Sequence, residues 1–536
     1  MKTLPTVLGQ PKNYLAALPF LIRTDSYKAG HALMYPPDTT EMVAYSEYRK
    51  PLSADDHRIV QWGARYKLET LLNRRITWQD IEEADAWYAT HGVAKTKFFY
   101  PRDTWIKVVE QGGFLPLEIE ALPDGTVFYA RVPWLQITAT AKWLPDGTKV
   151  DFQNLCTWFE PELMHMWSPS TTATKSARVR ELYTQAFERS VDADAWFLLD
   201  SRFHDFGYRG VSSTETAMVT GAAHLLFFEG TDTQPAGWLA TQMNEGRPVG
   251  ESVLASEHSV ALSWLNRGGE IAQVNYLSKK APEGAILSNI ADTTNYWKYL
   301  KTVVPATLPG IRDRRQLFVA RPDSGDTIEC VVRGLQELAN AYGCTLNSKG
   351  YQVIDGAAII QGDGLELHQI ETLLNAVMEA GFSAQCLACG MGGGLLQKQN
   401  RDTLSAATKL CQIEYDDGMI YHTIKVPITD SGKNSLPGKM AVVENPDGSL
   451  LVVPADERGD RENLLKILWT PPSLRQTTMV TEFIDALVEN AGGTFDQMRE
   501  RARTQWARRP KTPDVLSQNI KTQITELTIQ FRSEHT

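Results

Sequence analysis

Between residues 196 and 394 the chain repeats one pattern: a short apolar run that ends in Gly, Asp, His or Arg. Residues 196–203 lead into His204-Asp205-Phe206-Gly207, residues 222–230 into Thr231-Asp232-Thr233, and residues 250–256 into Glu257-His258-Ser259. Residues 284–289 lead into Ile290-Ala291-Asp292-Thr293, and residues 316–320 into Arg321-Pro322-Asp323-Ser324-Gly325. Residues 357–360 lead into Gln361-Gly362-Asp363-Gly364, and residues 383–388 into Cys389-Gly390-Met391-Gly392-Gly393-Gly394. Residues 326–342 and 365–380 lie between such runs and carry apolar positions at helical spacing. Strand and helix alternating about every 25–40 residues make an α/β unit with a parallel sheet. Seven such units predict an irregular (β/α) barrel over residues 191–399, with its site at the C-terminal ends of the strands.

The flanks read differently. Residues 1–190 and 400–536 mix helical stretches with strand pairs, at 126–140 and at 438–453, where Asn445-Pro446-Asp447-Gly448 forms a hairpin turn. They predict a second, α+β domain built from both chain ends, finishing in about 70 charged, helical residues of unassigned role.

Composition removes several classes. Hydrophobic residues make up 43% and charged residues 22%, a globular balance. The net charge of -10, with no Lys/Arg block, argues against nucleic acid as a partner. Cys156, Cys330, Cys344, Cys386, Cys389 and Cys411 are scattered, which suits a reducing cytoplasm. Cys386 and Cys389 form a CxxC without a second pair or a histidine pair, so two buried small residues are the simpler reading than a metal or redox site. Residues 1–28 show no secretion signal, and no run of about 20 apolar residues is present to cross a membrane.

The strand ends carry the chemistry. Gly390 to Gly394 follow a strand and open a helix, where crowded amides and the helix dipole suit an anion. The spacing matches neither a dinucleotide fingerprint nor a Walker A loop. Gln361-Gly362-Asp363-Gly364 ends the preceding strand, and the last two loops of many barrels bind a phosphate. Arg401, Lys409 and Lys425 supply cations nearby in sequence. Asp323 and Asp363, at neighbouring strand ends, suit vicinal ribose hydroxyls, because an ionised carboxylate only accepts. Asp232 suits a carboxamide N–H, Phe206 a flat ring, and His258 a titratable base. Each alone is as readily a cap, turn or core residue. Together they describe a site for a phosphorylated sugar and a flat heterocycle.

At these residues the chain resembles the nicotinamide phosphoribosyltransferases. The stretches that match are Thr24-Asp25-Ser26-Tyr27-Lys28, Tyr35-Pro36-Pro37, the decapeptide from His204 to Ser213, Gly230-Thr231-Asp232-Thr233, Glu257-His258-Ser259, Arg321-Pro322-Asp323-Ser324-Gly325, Gln361-Gly362-Asp363-Gly364 and Gly392 to Lys398. The likeness runs from about residue 20 to about residue 440. It implies a type II phosphoribosyltransferase fold and a homodimer with shared sites. The nicotinamide ring would lie between Phe206 and Tyr27 of the other subunit, with Asp25 beside that tyrosine and Asp232 on the carboxamide. Arg209, Arg321, Asp323, Gly362 and Asp363 would meet ribose and pyrophosphate, and Gly392, Gly393, Arg401, Lys409 and Lys425 the phosphate. The resemblance makes ATP a co-substrate that phosphorylates His258, and Mg²⁺ the ion bridging the substrate phosphates.

Two departures stand out. The family has an aspartate, the partner of the catalytic histidine, where Asn289 aligns, so ATP coupling is expected to be weak unless Glu257 or Asp292 supplies the charge. It has a serine where Ala407 aligns, which should only weaken phosphate binding. Two rival readings are a nicotinate phosphoribosyltransferase, which needs a cation where Asp232 stands, and a homologue that binds nucleotide without turnover.

Overall fold

The computed structural model describes residues 13–429, 431–472 and 480–535; the first twelve of the 28 residues read for a secretion signal lie outside the described residues. Two six-stranded sheets organise the described residues. β1 (Thr39–Tyr48), β2 (Glu118–Ala121) and β3 (Pro133–Thr140) come from the first part of the chain. β4 (Phe203–Asp205), β5 (Leu254–Ala255), β6 (Ile286–Ile290), β7 (Leu317–Arg321), β8 (Ala357–Gln361) and β9 (Leu387–Met391) form the middle. β10 (Ala406–Tyr415), β11 (Ile420–His422) and β12 (Lys466–Trp469) follow. The antiparallel sheet runs β11-β10-β1-β3-β2-β12 and so joins the two ends of the chain. The parallel sheet runs β4-β9-β8-β7-β6-β5 and curls into part of a barrel.

The central parallel strands β7, β8 and β9 are short and almost wholly buried, as strands covered on both faces must be, while the edge strand β5 is exposed. Phe318, Ala320, Ile359, Leu387 and Cys389 face the outer helices, while Val319, Ala358, Ile360 and Ala388 line the inside. The helices that cross between strands start on side-chain caps: Asn295 accepts from the Lys298 amide ahead of Tyr296–Asp313, and Asp326 from the Glu329 amide ahead of Thr327–Tyr342.

Two expected features come out differently. Residues 222–230 are no strand: they finish the helix Thr214–His224 and turn, leaving Gly230 and Thr231 to make isolated bridges to Glu251 and Asp205 across the open side of the curled sheet. A short apolar run does not by itself distinguish a buried helix end from a strand. In 126–140, the strand Val127–Tyr129 pairs with Arg58–Val60 and β3 pairs with β1 and β2, because the chain turns at Arg131 with φ of 72°. The hairpin Met440–Glu444 with Leu450–Pro454 forms as read, around Gly448 at φ 82°.

Two long helices tie the halves together. Trp167–Ser190, from the segment read as part of the flanking domain, packs in the core of the parallel sheet. Phe495–Arg508, in the tail, sets Phe495 edge-on to Trp62 and Trp506 under Arg58 at 4.1 Å. Its Arg499 and Arg503 donate to the carbonyls of Leu225, Leu226 and Phe227, so the tail braces the turn that leads to Asp232. Among the described residues no helix is long and apolar enough to cross a membrane. Cys386 and Cys389 are buried free thiols, pushed up to about 11 and about 12 by burial.

Candidate active site

Phe206 leaves β4 with its amide bonded to the Met391 carbonyl at 3.0 Å, which turns its ring across the C-terminal ends of β8 and β9. The ring packs on Val319, Ala358, Ile360 and Ala388 inside the curled sheet. Glycine is required beneath it: a Cβ on Gly390 would lie 2.0 Å from a ring carbon, and one on Gly362 2.7 Å. Asp205 fixes this turn. It is buried, accepts from the Gly207 amide at 2.7 Å and from Thr231 Oγ1 at 3.3 Å, and offers its own carbonyl to the Asp232 amide at 2.9 Å. Burial raises its carboxyl to about 6. Asp232 is exposed, with Oδ1 accepting from Ser252 Oγ at 2.5 Å. No lysine or arginine pairs with it among the described residues.

His258 opens the helix His258–Ser263 at the end of β5. Its Nε2 lies 3.1 Å from Asp292 Oδ1, and its Nδ1 3.9 Å from Asp323 Oδ2. Asp292 is held in turn by Ser324 Oγ at 2.5 Å. The imidazole therefore bridges the carboxylates that end β6 and β7. Asn289 is not its partner: it is fully buried in β6, donates to the Leu287 carbonyl at 3.1 Å, and leaves its Oδ1 without an acceptor's partner. The expected loss of the histidine's carboxylate is thus corrected, with Asp292 in that place. Glu257 takes up Ser259 instead.

Arg321, at the end of β7, keeps a buried Nε with no hydrogen-bond partner. Asp363 stands exposed at the end of β8. The turn carrying Arg209 packs on the glycine loop, since a Cβ on Gly210 would lie 2.9 Å from the Gly393 amide. Gly393–Leu396 is a single helical turn, and the amides of Gly393 and Gly394 find no protein acceptor among the described residues.

A second group of expected residues lies elsewhere. Tyr27 sets its ring against His31 and the Lys28 ammonium, in the short helix Ser26–Gly30 opened by Asp25. Lys409 stands on β10, its ammonium lowered by burial and then by Arg49 and Lys425, with Glu160, the ion-pair partner of Lys28, opposing. Arg401 reaches only Asp402, and Ala407 faces Glu47 across β10 and β1. Among the described residues no hydrogen bond, ion pair or ring contact joins Asp25, Tyr27, Arg401, Lys409 or Lys425 to Phe206, Asp232, His258, Arg321 or Asp323. Lys409 stands on the antiparallel sheet, whereas Phe206 packs inside the parallel one.

Comparison with known proteins bears on what this arrangement is. A family model described as the nicotinate phosphoribosyltransferase (NAPRTase) family matches residues 201–455, and one described as the nicotinamide phosphoribosyltransferase N-terminal domain matches residues 19–119. A nicotinamide phosphoribosyltransferase of Xanthomonas campestris pv. campestris is 34% identical over 459 residues, spanning 84% of this chain and 94% of the relative. The chain belongs to the nicotinamide phosphoribosyltransferase family. Another member, from Acinetobacter baylyi, is 28% identical over 80% of this chain and 88% of its own length. Human nicotinic acid phosphoribosyltransferase superposes with a TM-score of 0.57 at 15% identity, covering 94% of this chain and 99% of that one, a likeness of fold alone.

Asp205 and Ser252 were not singled out from the sequence, and Gly390 was read only as part of an anion-binding run. Asp205 and Gly390 lie inside the quoted motifs, but burial and close approach to a ring leave no mark on a sequence. Ser252 sat within an apolar run, two residues before β5.

Proposed function

We propose that the chain transfers the phosphoribosyl group of phosphoribosyl pyrophosphate to the ring nitrogen of nicotinamide, forming nicotinamide mononucleotide and pyrophosphate. Asp232 carries this reading. Its amide bonds the carbonyl of Asp205, the residue before Phe206, one carboxylate oxygen takes the Ser252 hydroxyl, and among the described residues no lysine or arginine pairs with it. A carboxamide N–H fits the other oxygen, whereas nicotinate's carboxylate would meet a like charge. In the reaction the anomeric C–O bond to pyrophosphate breaks and the C–N bond forms, leaving positive charge on the ribose ring at the transition state. Phe206 fixes the ring plane, Asp323 and Asp363 the ribose, and Arg209 and Arg321 the departing negative charge, so catalysis is by positioning and electrostatics.

ATP is the proposed co-substrate. With the Nε2 proton held by Asp292, His258 presents the Nδ1 lone pair to the γ-phosphorus, the bond to ADP breaks, and the phosphohistidine later yields its phosphoryl group to water. Mg²⁺ fits as an ion held mainly by substrate phosphates: Asp323 and Asp363 are accessible carboxylates, with no lysine or arginine paired to them among the described residues. It would neutralise phosphate charge there. The chain would act as a homodimer in which Tyr27, Asp25, Arg401, Lys409 and Lys425 complete the other subunit's site; the position of Lys409 on the antiparallel sheet, apart from the strand ends that carry Phe206 and His258, supports this. We assign the enzyme to the cytoplasm, with neither nucleic acid nor membrane as a partner. The test is steady-state turnover of nicotinamide against nicotinate with and without ATP; the reading requires nicotinamide to be strongly preferred and ATP to raise kcat/KM.

A further inference from the structure

The helix Trp167–Ser190 runs behind the glycine loop and turns polar side chains toward it. Thr172 Oγ1 donates to the Leu395 carbonyl at 3.1 Å, and Gln399 Nε2 donates to Thr172 Oγ1 at 2.9 Å. One turn further on, Lys175 Nζ donates to the Gly394 carbonyl at 2.9 Å. Lys175 is only 9% exposed, and among the described residues no carboxylate pairs with it. Burial alone pushes its ammonium down to about 8, with no neighbouring charge to offset the shift. A buried cation without a counter-charge is destabilising, and a methionine would fill the same space without that penalty. Retaining the charge makes physical sense when an anion arrives to balance it. The same helical turn begins with the Gly393 and Gly394 amides, which have no protein acceptor among the described residues.

We infer that Lys175 is a positioning residue for the substrate phosphate: a buried cation, held against the back of the glycine loop, whose counter-charge is a phosphate of phosphoribosyl pyrophosphate. The inference rests on the reading of that loop as the phosphate cradle. It differs from a structural peg in what removal does. A peg lost should lower stability and loosen the whole site. A counter-charge lost should relieve the folded chain and weaken the anion alone.

The experiment measures dissociation constants for phosphoribosyl pyrophosphate and for nicotinamide, together with thermal unfolding, in the wild type, Lys175→Met, Lys175→Gln and Gly393→Val. Lys175→Gln keeps a donor for the Gly394 carbonyl and removes only the charge. Both Lys175 variants should bind phosphoribosyl pyrophosphate about tenfold more weakly, the loss expected of one buried charge at short range. Nicotinamide binding should hold, and the unfolding temperature should stay level or rise. If Lys175→Gln restores wild-type binding that Lys175→Met has lost, or if either variant unfolds earlier and loses both ligands, Lys175 is a peg and the inference is wrong. If both bind phosphoribosyl pyrophosphate normally while Gly393→Val does not, the inference falls and the cradle stands. If Gly393→Val also binds it normally, the cradle falls and the inference with it.

Discussion

On the proposed reading, Asp232 and Ser252 set substrate choice at the level of single atoms. The serine hydroxyl occupies one carboxylate oxygen, which leaves one acceptor and a full negative charge for the incoming base. Replacing Asp232 by Asn removes the charge and keeps the shape. The ratio of kcat/KM for nicotinamide over nicotinate should then fall by about tenfold or more, since like-charge rejection is worth several kcal/mol; an unchanged ratio removes Asp232 from this role. His258 and Asp292 make a second pair. Asp292→Asn should lower phosphohistidine formation and the ATP effect while basal synthesis persists, and Asn289→Asp should give no gain in ATP effect and cost about 2 kcal/mol in stability, because it places a charge in a sealed strand. A larger ATP effect in Asn289→Asp would overturn the pairing. Asp205 supplies a pH signature. Its folded carboxyl, raised to about 6 against an ordinary 3.8, favours the neutral form, so its contribution to stability is present at low pH and is lost as pH rises from about 4 through 6. The unfolding temperature of Asp205→Asn relative to wild type should therefore climb between pH 4 and pH 7.

At the scale of elements, the parallel strands bring Phe206, His258, Arg321 and Asp363 to one end, with Asp232 added by the turn bridged to Asp205 at Thr231, and most of this could be read from apolar runs that close on polar residues. The helices Thr327–Tyr342 and Leu367–Glu379 lie where their periodicity put them. The run at 222–230 misled because a buried helix end is as apolar as a strand. Asn289 misled because it stands three residues before Asp292, and alignment by motif does not say which side chain turns toward His258; only the register of β6 does. The glycines under Phe206 were visible as glycines, but their reason, a ring packed on the strand ends, was not. Gly390→Ala tests it. A Cβ 2.0 Å from the ring must displace it, and overpacking of that kind costs about 1–3 kcal/mol. Nicotinamide should bind roughly 5- to 100-fold more weakly, while phosphoribosyl pyrophosphate affinity changes little; equal losses for both ligands would mean that the strand end itself had collapsed.

For the whole molecule, the feature with the widest consequence is that the proposed site residues are carried by both the antiparallel and the parallel sheet regions. Tyr27 and the cations Lys409 and Lys425 belong to the region built on the antiparallel sheet, and Phe206 and His258 to the parallel one. If two chains exchange these parts, Tyr27→Ala and Asp323→Ala proteins, each inactive alone, should regain activity when subunits are mixed, because one of the two sites in a mixed dimer is intact. No recovery after proven exchange would place the whole site in one chain. The central claim is the reaction itself, and product analysis tests it most directly. Purified protein given phosphoribosyl pyrophosphate, Mg²⁺ and ATP, with nicotinamide and nicotinate present in equal amounts, should release pyrophosphate and form nicotinamide mononucleotide as the dominant product. Formation of nicotinate mononucleotide instead, or of neither product, would contradict it.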